Sequence, residues 1–226
     1  MVKNVVFFKR KPGMSVEDFQ NYWRTTHAGI VTKMPGIRRY VQSHTLLSGY
    51  RKGEPAYDGV AELWFENTDA MRALAPTAEY AAVMADEQNF IDSSRKGSII
   101  TDEHVIKDGA IPPDAVKNIE FVTHKPGMSI EAFQKHWREI HGPLGASIPV
   151  VQRYVQSHTR LSIYKSGKTP EYDGVAITWF DSTAAMRTSA TMPEYARTRA
   201  DEKNFIAPGT LPFIITKEHV IVENRK

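Results

Sequence analysis

The apolar and polar positions of this chain fall into a block that is written twice. The segment Val2–Arg10 (VKNVVFFKR) is rich in β-branched and aromatic residues and predicts a strand, as does Lys117–His124 (KNIEFVTH). Each is followed by the turn KPGMS, whose Ser15 or Ser129 suits a helix N-cap. Next comes a helical stripe: Phe19, Trp23 and His27, repeated as Phe133, Trp137 and His141. The strand RYVQSHT follows at Arg39–Thr45 and returns unchanged at Arg153–Thr159, 114 positions later. A third strand opens with YDGVA at Tyr57–Ala61 and Tyr172–Ala176. The stretch from about Thr68 to Phe90 predicts a helix interrupted near Pro76, and its partner breaks near Pro193. SIITDEHVI and PFIITKEHVI supply a fourth strand.

Each block therefore reads as βαββαβ, the ferredoxin-like pattern. The boundaries predicted are 1–108 and 117–226, joined across the Gly- and Pro-bearing KDGAIPPDA. Two copies are too few for a solenoid and suggest a fused dimer with internal pseudo-two-fold symmetry. Strand three is partly apolar on both of its faces, as expected where both sides of a sheet are covered. The fold class expected is α+β: two ferredoxin-like repeats whose antiparallel sheets form one pseudo-dimeric α/β barrel.

Alternation along RYVQSHT predicts two faces. Val41, Ser43, Thr45 and Leu47 are expected to face the helices. Tyr40, Gln42 and His44, with Tyr154, Gln156 and His158, are expected to line the barrel interior.

Composition narrows the classes. Of 226 residues, 41% are hydrophobic and 24% charged, ordinary values for a globular protein. The net charge is +3 and no block of five like charges occurs, so neither nucleic acid nor a membrane is expected as partner. There is no apolar run of about 18 residues and no signal-peptide layout, which leads to a cytoplasmic expectation. The absence of cysteine removes disulfides, thiolate metal sites and a Cys nucleophile.

The motif set KPGMS-x3-F-x3-W-x3-H, RYVQSHT, YDG-x4-WF and DE-x-NF resembles the EthD family across both repeats. The resemblance implies the dimeric α/β-barrel superfamily, whose members include isomerases, cyclases, monooxygenases and haem-using enzymes. The helix-end histidines, His27 and His141, belong to the family pattern.

The chemistry expected is proton transfer by histidine in a semi-apolar pocket, where an imidazole titrates near neutrality. His27, His44, His141 and His158 are the acid/base candidates. Tyr40, Tyr154, Gln42 and Gln156, on the same strand face, are candidate substrate-binding groups, together with Trp64, Trp179, Asp58 and Asp173. Trp64 and Trp179 are read as core residues that could also line a pocket. Asp58 and Asp173 could orient a histidine or accept hydrogen bonds in a turn. His104 and His219, in strand four, are weaker candidates. No metal-ligand spacing occurs, so neither metal nor cofactor is expected. Glu62 and Glu120 stand inside strands opposite Ile177 and Val6 of the other copy, so the two pockets need not be equivalent.

These features lead to a cofactor-independent isomerase, dehydratase, decarboxylase or other lyase acting on a small hydrophobic carbonyl-bearing or aromatic metabolite. The alternatives are a non-catalytic binding or stress-responsive protein for an apolar metabolite, and a haem-using oxidoreductase. A homodimer of the fused pair is a further expectation.

Overall fold

The computed structural model describes residues 1–209 and 211–223. The predicted second repeat runs to 226, and its last three positions lie outside the described residues. Eight strands form one closed barrel in the order β1-β3-β2-β8-β5-β7-β6-β4. They are β1 (Val2–Arg10), β2 (Ile37–Thr45), β3 (Gly59–Phe65), β4 (Ile91–Lys107), β5 (Val116–Val122), β6 (Arg153–Thr159), β7 (Gly174–Phe180) and β8 (Phe213–Val222). The fold is α+β with two ferredoxin-like repeats, as the sequence predicts.

By contacts the described residues divide into two compact units, one of residues 1–100 and 218–223 and one of residues 101–209 and 211–217. Each unit thus completes its sheet with the end of a strand that the other copy begins. In the first unit β3 pairs antiparallel with both β1 and β2. In the second unit β7 pairs with β5 and β6, and the end of β4 adds to β6.

The helices of the first unit are α1 (Val16–Tyr22), α2 (Ala28–Val31), α3 (Thr68–Arg72) and α4 (Ala78–Glu87). Those of the second are α5 (Ile130–His136), α6 (Gly142–Ala146), α7 (Leu161–Lys165), α8 (Thr183–Ser189) and α9 (Pro193–Asp201). Ser15 and Ser129 cap α1 and α5, each accepting from the backbone N–H three residues on. The break between α3 and α4 falls at Pro76 as predicted, and Thr77 caps α4. Among the described residues no helix is long and apolar enough to cross a membrane.

The core of the first unit fills the space between sheet and helices. Phe8, Leu63, Phe65 and Tyr40 from the strands meet Phe19, Trp23, Val31 and Val83 from the helices. All seven residues of β3 are buried, so both faces of the sheet are covered there.

The orientation of RYVQSHT is opposite to the expectation. Tyr40, Gln42 and His44 face the helices, where all three contact Trp23. Val41, Ser43 and Thr45 lie on the other face, where Ser43 approaches Glu62. Both faces of the strand are buried, so hydrophobicity does not rank them.

Candidate functional site

Helix α1 does not continue as an α-helix. Its last turn, Trp23–His27, is π-helical, as is Trp137–His141 in the second unit. The wider turn frees Trp23 and His27 from the common heading of an α-helical i, i+4 pair. The Trp23 indole turns to the sheet and His27 turns to α4. The Trp23 carbonyl accepts from the Ala28 N–H and from the Gln42 side-chain amide at 2.9 Å.

The Trp23 ring lies flat on the His44 imidazole, 4.3 Å between centroids. Its other surroundings are Phe8 and Gly59, and a Cβ at Gly59 would stand 2.3 Å from the indole. The glycine of YDG is thus a space requirement of the tryptophan. Gly174 stands in the same relation to Trp137.

A chain of hydrogen bonds runs along this layer. The Trp23 Nε1–H and the Gln42 Nε2–H both donate to the Tyr40 hydroxyl oxygen, at 3.2 and 2.8 Å. Gln42 Oε1 accepts from His44 Nε2 at 2.9 Å. Both lone pairs of the Tyr40 oxygen are therefore used, and its own proton is left to donate. Burial pushes the Tyr40 phenol above its ordinary pKa, so it remains a donor at neutral pH. His44 is driven the other way. Burial, with a smaller contribution from neighbouring His219 and Arg24, lowers it to about 3. It is neutral, donates its one proton to Gln42 and holds the layer in register.

His27 has a different partner. Its Nδ1 lies 2.8 Å from Asp86 Oδ2, and its ring packs on Phe90. Asp86 also accepts from the Tyr22 hydroxyl at 2.6 Å and from Asn89 at 3.1 Å. Burial opposes ionisation of Asp86, but these hydrogen bonds outweigh it and hold the carboxyl below its ordinary value. Burial also lowers the pKa of His27, only partly offset by Asp86. A neutral imidazole whose Nδ1–H is held by a carboxylate presents a bare Nε2, the state a general base requires.

His27 and Tyr40 line one cavity of about 280 Å³, walled by side chains such as Phe8, Leu63, Met71 and Val83. Its other polar groups are Asn4, Tyr80, Ser98 and the Glu87–Lys96 ion pair. The Asn4 Oδ1 is buried and has no hydrogen-bond partner.

The second unit repeats the plan with changed contents. His158 stacks on Trp137 at 4.4 Å and bonds Gln156, which donates to Tyr154. Burial lowers His158 to about 3 and His141 to about 4. His141 Nδ1 lies 3.1 Å from Asp201, which also accepts from His136, the residue in the place of Tyr22. The cavity beside His141 and Tyr154 is only about 80 Å³. Glu120 replaces Val6 in its wall, and Arg199 replaces Met84 and pairs with Glu202 at 2.7 Å. Leu211 stands where Lys96 stands in the first copy. Burial pushes the Glu202 carboxyl up to about 7.

Other candidates fall elsewhere. Asp58 binds the Arg10 backbone and guanidinium, Lys9 and Tyr50, and orients no histidine. Asp173 takes His124, which replaces Arg10, together with Tyr164. Trp64 lies on the sheet face away from the helices, against Lys3 and Arg39. Trp179 lies against Lys117 in the same way. Glu62 is buried in an ion pair with Lys3 at 2.6 Å. Gln42 and Gln156 do not line the cavities beside His27 and His141; their amides donate to the Tyr40 and Tyr154 hydroxyls. Asp86 and Asp201 were missed as partners of the histidines, although the repeated DE-x-NF carries them. Among the described residues no group of three His, Cys, Asp or Glu side chains could hold a metal ion.

The EthD domain matches residues 11–94 and again 125–209, spanning the π turns, both RYVQSHT strands and both His-pairing aspartates. The chain belongs to the EthD family. No curated protein sequence matches this EthD chain. Among solved structures, an anthrone oxidase-like protein is 10% identical, with a TM-score of 0.66, covering 99% of this chain and 94% of its own. A candidate monooxygenase from Lactobacillus acidophilus NCFM is 12% identical, with a TM-score of 0.59, covering 99% and 96%. A mutant chlorite dismutase from Candidatus Nitrospira defluvii is 9% identical, with a TM-score of 0.55, covering 95% and 89%. At such identities these similarities concern the fold.

Proposed function

We propose that the cavity of the first unit is the active site of a cofactor-independent acid/base enzyme, of the isomerase, dehydratase, decarboxylase or other lyase type. Its substrate is a small hydrophobic carbonyl-bearing or aromatic metabolite. The observation that carries this reading is the sharing of one apolar cavity by the His27–Asp86 pair and the unclaimed Tyr40 proton. A carbonyl oxygen accepts from Tyr40 while His27 Nε2 removes a proton from the adjacent carbon. The electrons of that C–H bond move onto the oxygen, and the Tyr40 hydrogen bond stabilises the enolate. The proton held on His27 then returns to another carbon, or to a leaving group. Asp86 stabilises the imidazolium formed between the two steps.

Asn4 adds a condition. An orphaned buried acceptor calls for a donor, so a ligand with a hydroxyl beside its apolar body satisfies the site better than one without. The second unit, with the smaller cavity and the Arg199–Glu202 pair in its wall, is the inactive partner in this reading.

In a haem reading His27 would hold the group, which would supply redox chemistry. The cavity size lies at the lower edge of ordinary small-molecule pockets and suits a one- or two-ring compound better than a porphyrin. Substitution is the test. His27→Gln should lower turnover roughly 10²–10⁴-fold with the fold intact, the usual scale for loss of a general acid or base. A retained ligand without turnover would make this a binding protein, and a Soret band in the purified protein would make it a haem protein.

A further inference from the structure

The second unit has another opening, separate from the cavity beside His141. It is a cleft of about 370 Å³ between α5, the end of β6 and β4, lined among others by His104, Arg138, His158, Arg160 and Ser162. We propose that this cleft binds a small hydroxycarboxylate.

His158 is 2% exposed and forms part of the cleft wall. Its Nε2 is committed to Gln156 Oε1, because the Gln156 amide donates to the Trp137 carbonyl and to Tyr154. The proton therefore resides on Nε2, and Nδ1 is left as a bare acceptor. That Nδ1 is buried and has no partner. An unpaired buried acceptor costs stability unless a donor reaches it. A carboxylate has no proton to give, whereas an alcohol has one.

The remaining groups select a negative charge. Arg160 is oriented by Asp102, which holds its Nε at 3.3 Å and leaves the terminal nitrogens of the guanidinium fork. Arg138 engages Glu139 through one Nη only. The His104 ring stands edge-on to His158, with 4.6 Å between centroids. A carboxylate fits a guanidinium fork, and a hydroxyl on the neighbouring carbon reaches the buried imidazole nitrogen. The first unit keeps Arg24, His44 and His219 at the matching positions but has Leu46 where Arg160 stands. The first unit thus keeps one of the two guanidinium groups, and only the second copy has both.

Calorimetric titration of the full chain with malate tests the assignment, with succinate and inorganic phosphate as comparison ligands. Malate should bind at least about 10-fold more tightly than succinate, because only malate supplies the hydroxyl. Arg160→Leu copies the residue of the first unit, so it is expected to fold, and it should weaken malate at least about 10-fold. Arg138→Gln should weaken it too. The assignment is overturned if no saturable heat appears up to about 10 mM malate. Equal affinity for malate and succinate, tighter binding of phosphate, or indifference to both arginine substitutions would also overturn it.

Discussion

His27 and Asp86 stand 59 residues apart in the chain and 2.8 Å apart in the fold, Nδ1 to Oδ2. The contact fixes which imidazole nitrogen is bare. Asp86 acts on His27 by raising a pKa that burial has lowered. Asp86→Asn removes that support, so the His27 pKa should fall further. Turnover should drop by roughly 10²–10⁴-fold, as expected when a general base loses its tautomer. The wild-type pH profile should be flat above about 6.5, the ordinary histidine pKa, with an acid limb below it that moves to lower pH in the variant. Steady-state kinetics between pH 4.5 and 8 measure both.

Tyr40 and Tyr154 occupy matching frameworks but different cavities. Tyr40→Phe and Tyr154→Phe each strand the N–H groups of a glutamine and a tryptophan, so each should cost about 1–3 kcal/mol in urea denaturation. Only Tyr40→Phe should also lower turnover, by roughly 10²–10³-fold, the scale for losing one oxyanion donor.

Gly59 has no room for a side chain beneath the Trp23 indole. Gly59→Ala should destabilise by about 1–3 kcal/mol through overpacking. Trp23→Phe in the same chain should recover part of that loss, since it removes the atoms in conflict. Denaturation midpoints of the two single variants and the double variant decide it.

His44 and His158 make stability depend on pH. Their folded pKa values, about 3, lie below the unfolded value of about 6.5. The unfolded chain therefore binds more protons between these limits, and stability should fall as pH drops from 6.5 toward 3. The slope approaches about 1.4 kcal/mol per pH unit for each histidine. In a His44→Asn, His158→Asn chain the thermal midpoint should vary less steeply with pH over that window.

The repeat, the strand order within each unit and the helix break at Pro76 were legible because periodicity and duplication are local signals. The facing of RYVQSHT was not. A strand buried on both sides carries no hydrophobic contrast. His27 was found through its stripe with Phe19 and Trp23. Its distinct heading comes from the π turn, which composition does not announce. Asp86 lay in a repeated motif, yet only the packing of α4 on the π turn shows what it binds. The difference between the cavities was readable in part, from Glu120 against Val6. The Arg199–Glu202 pair required the fold.

In the proposed reaction the first unit, through His27, moves protons on carbon next to a carbonyl. Deuterium incorporation from D₂O into a panel of cyclic aryl ketones, including 2-tetralone, tests it most directly. The wild-type chain and His141→Ala should exchange the α-protons of at least one ketone well above the buffer rate, and His27→Ala should not. Exchange that never exceeds buffer, or that survives in His27→Ala, would contradict the claim.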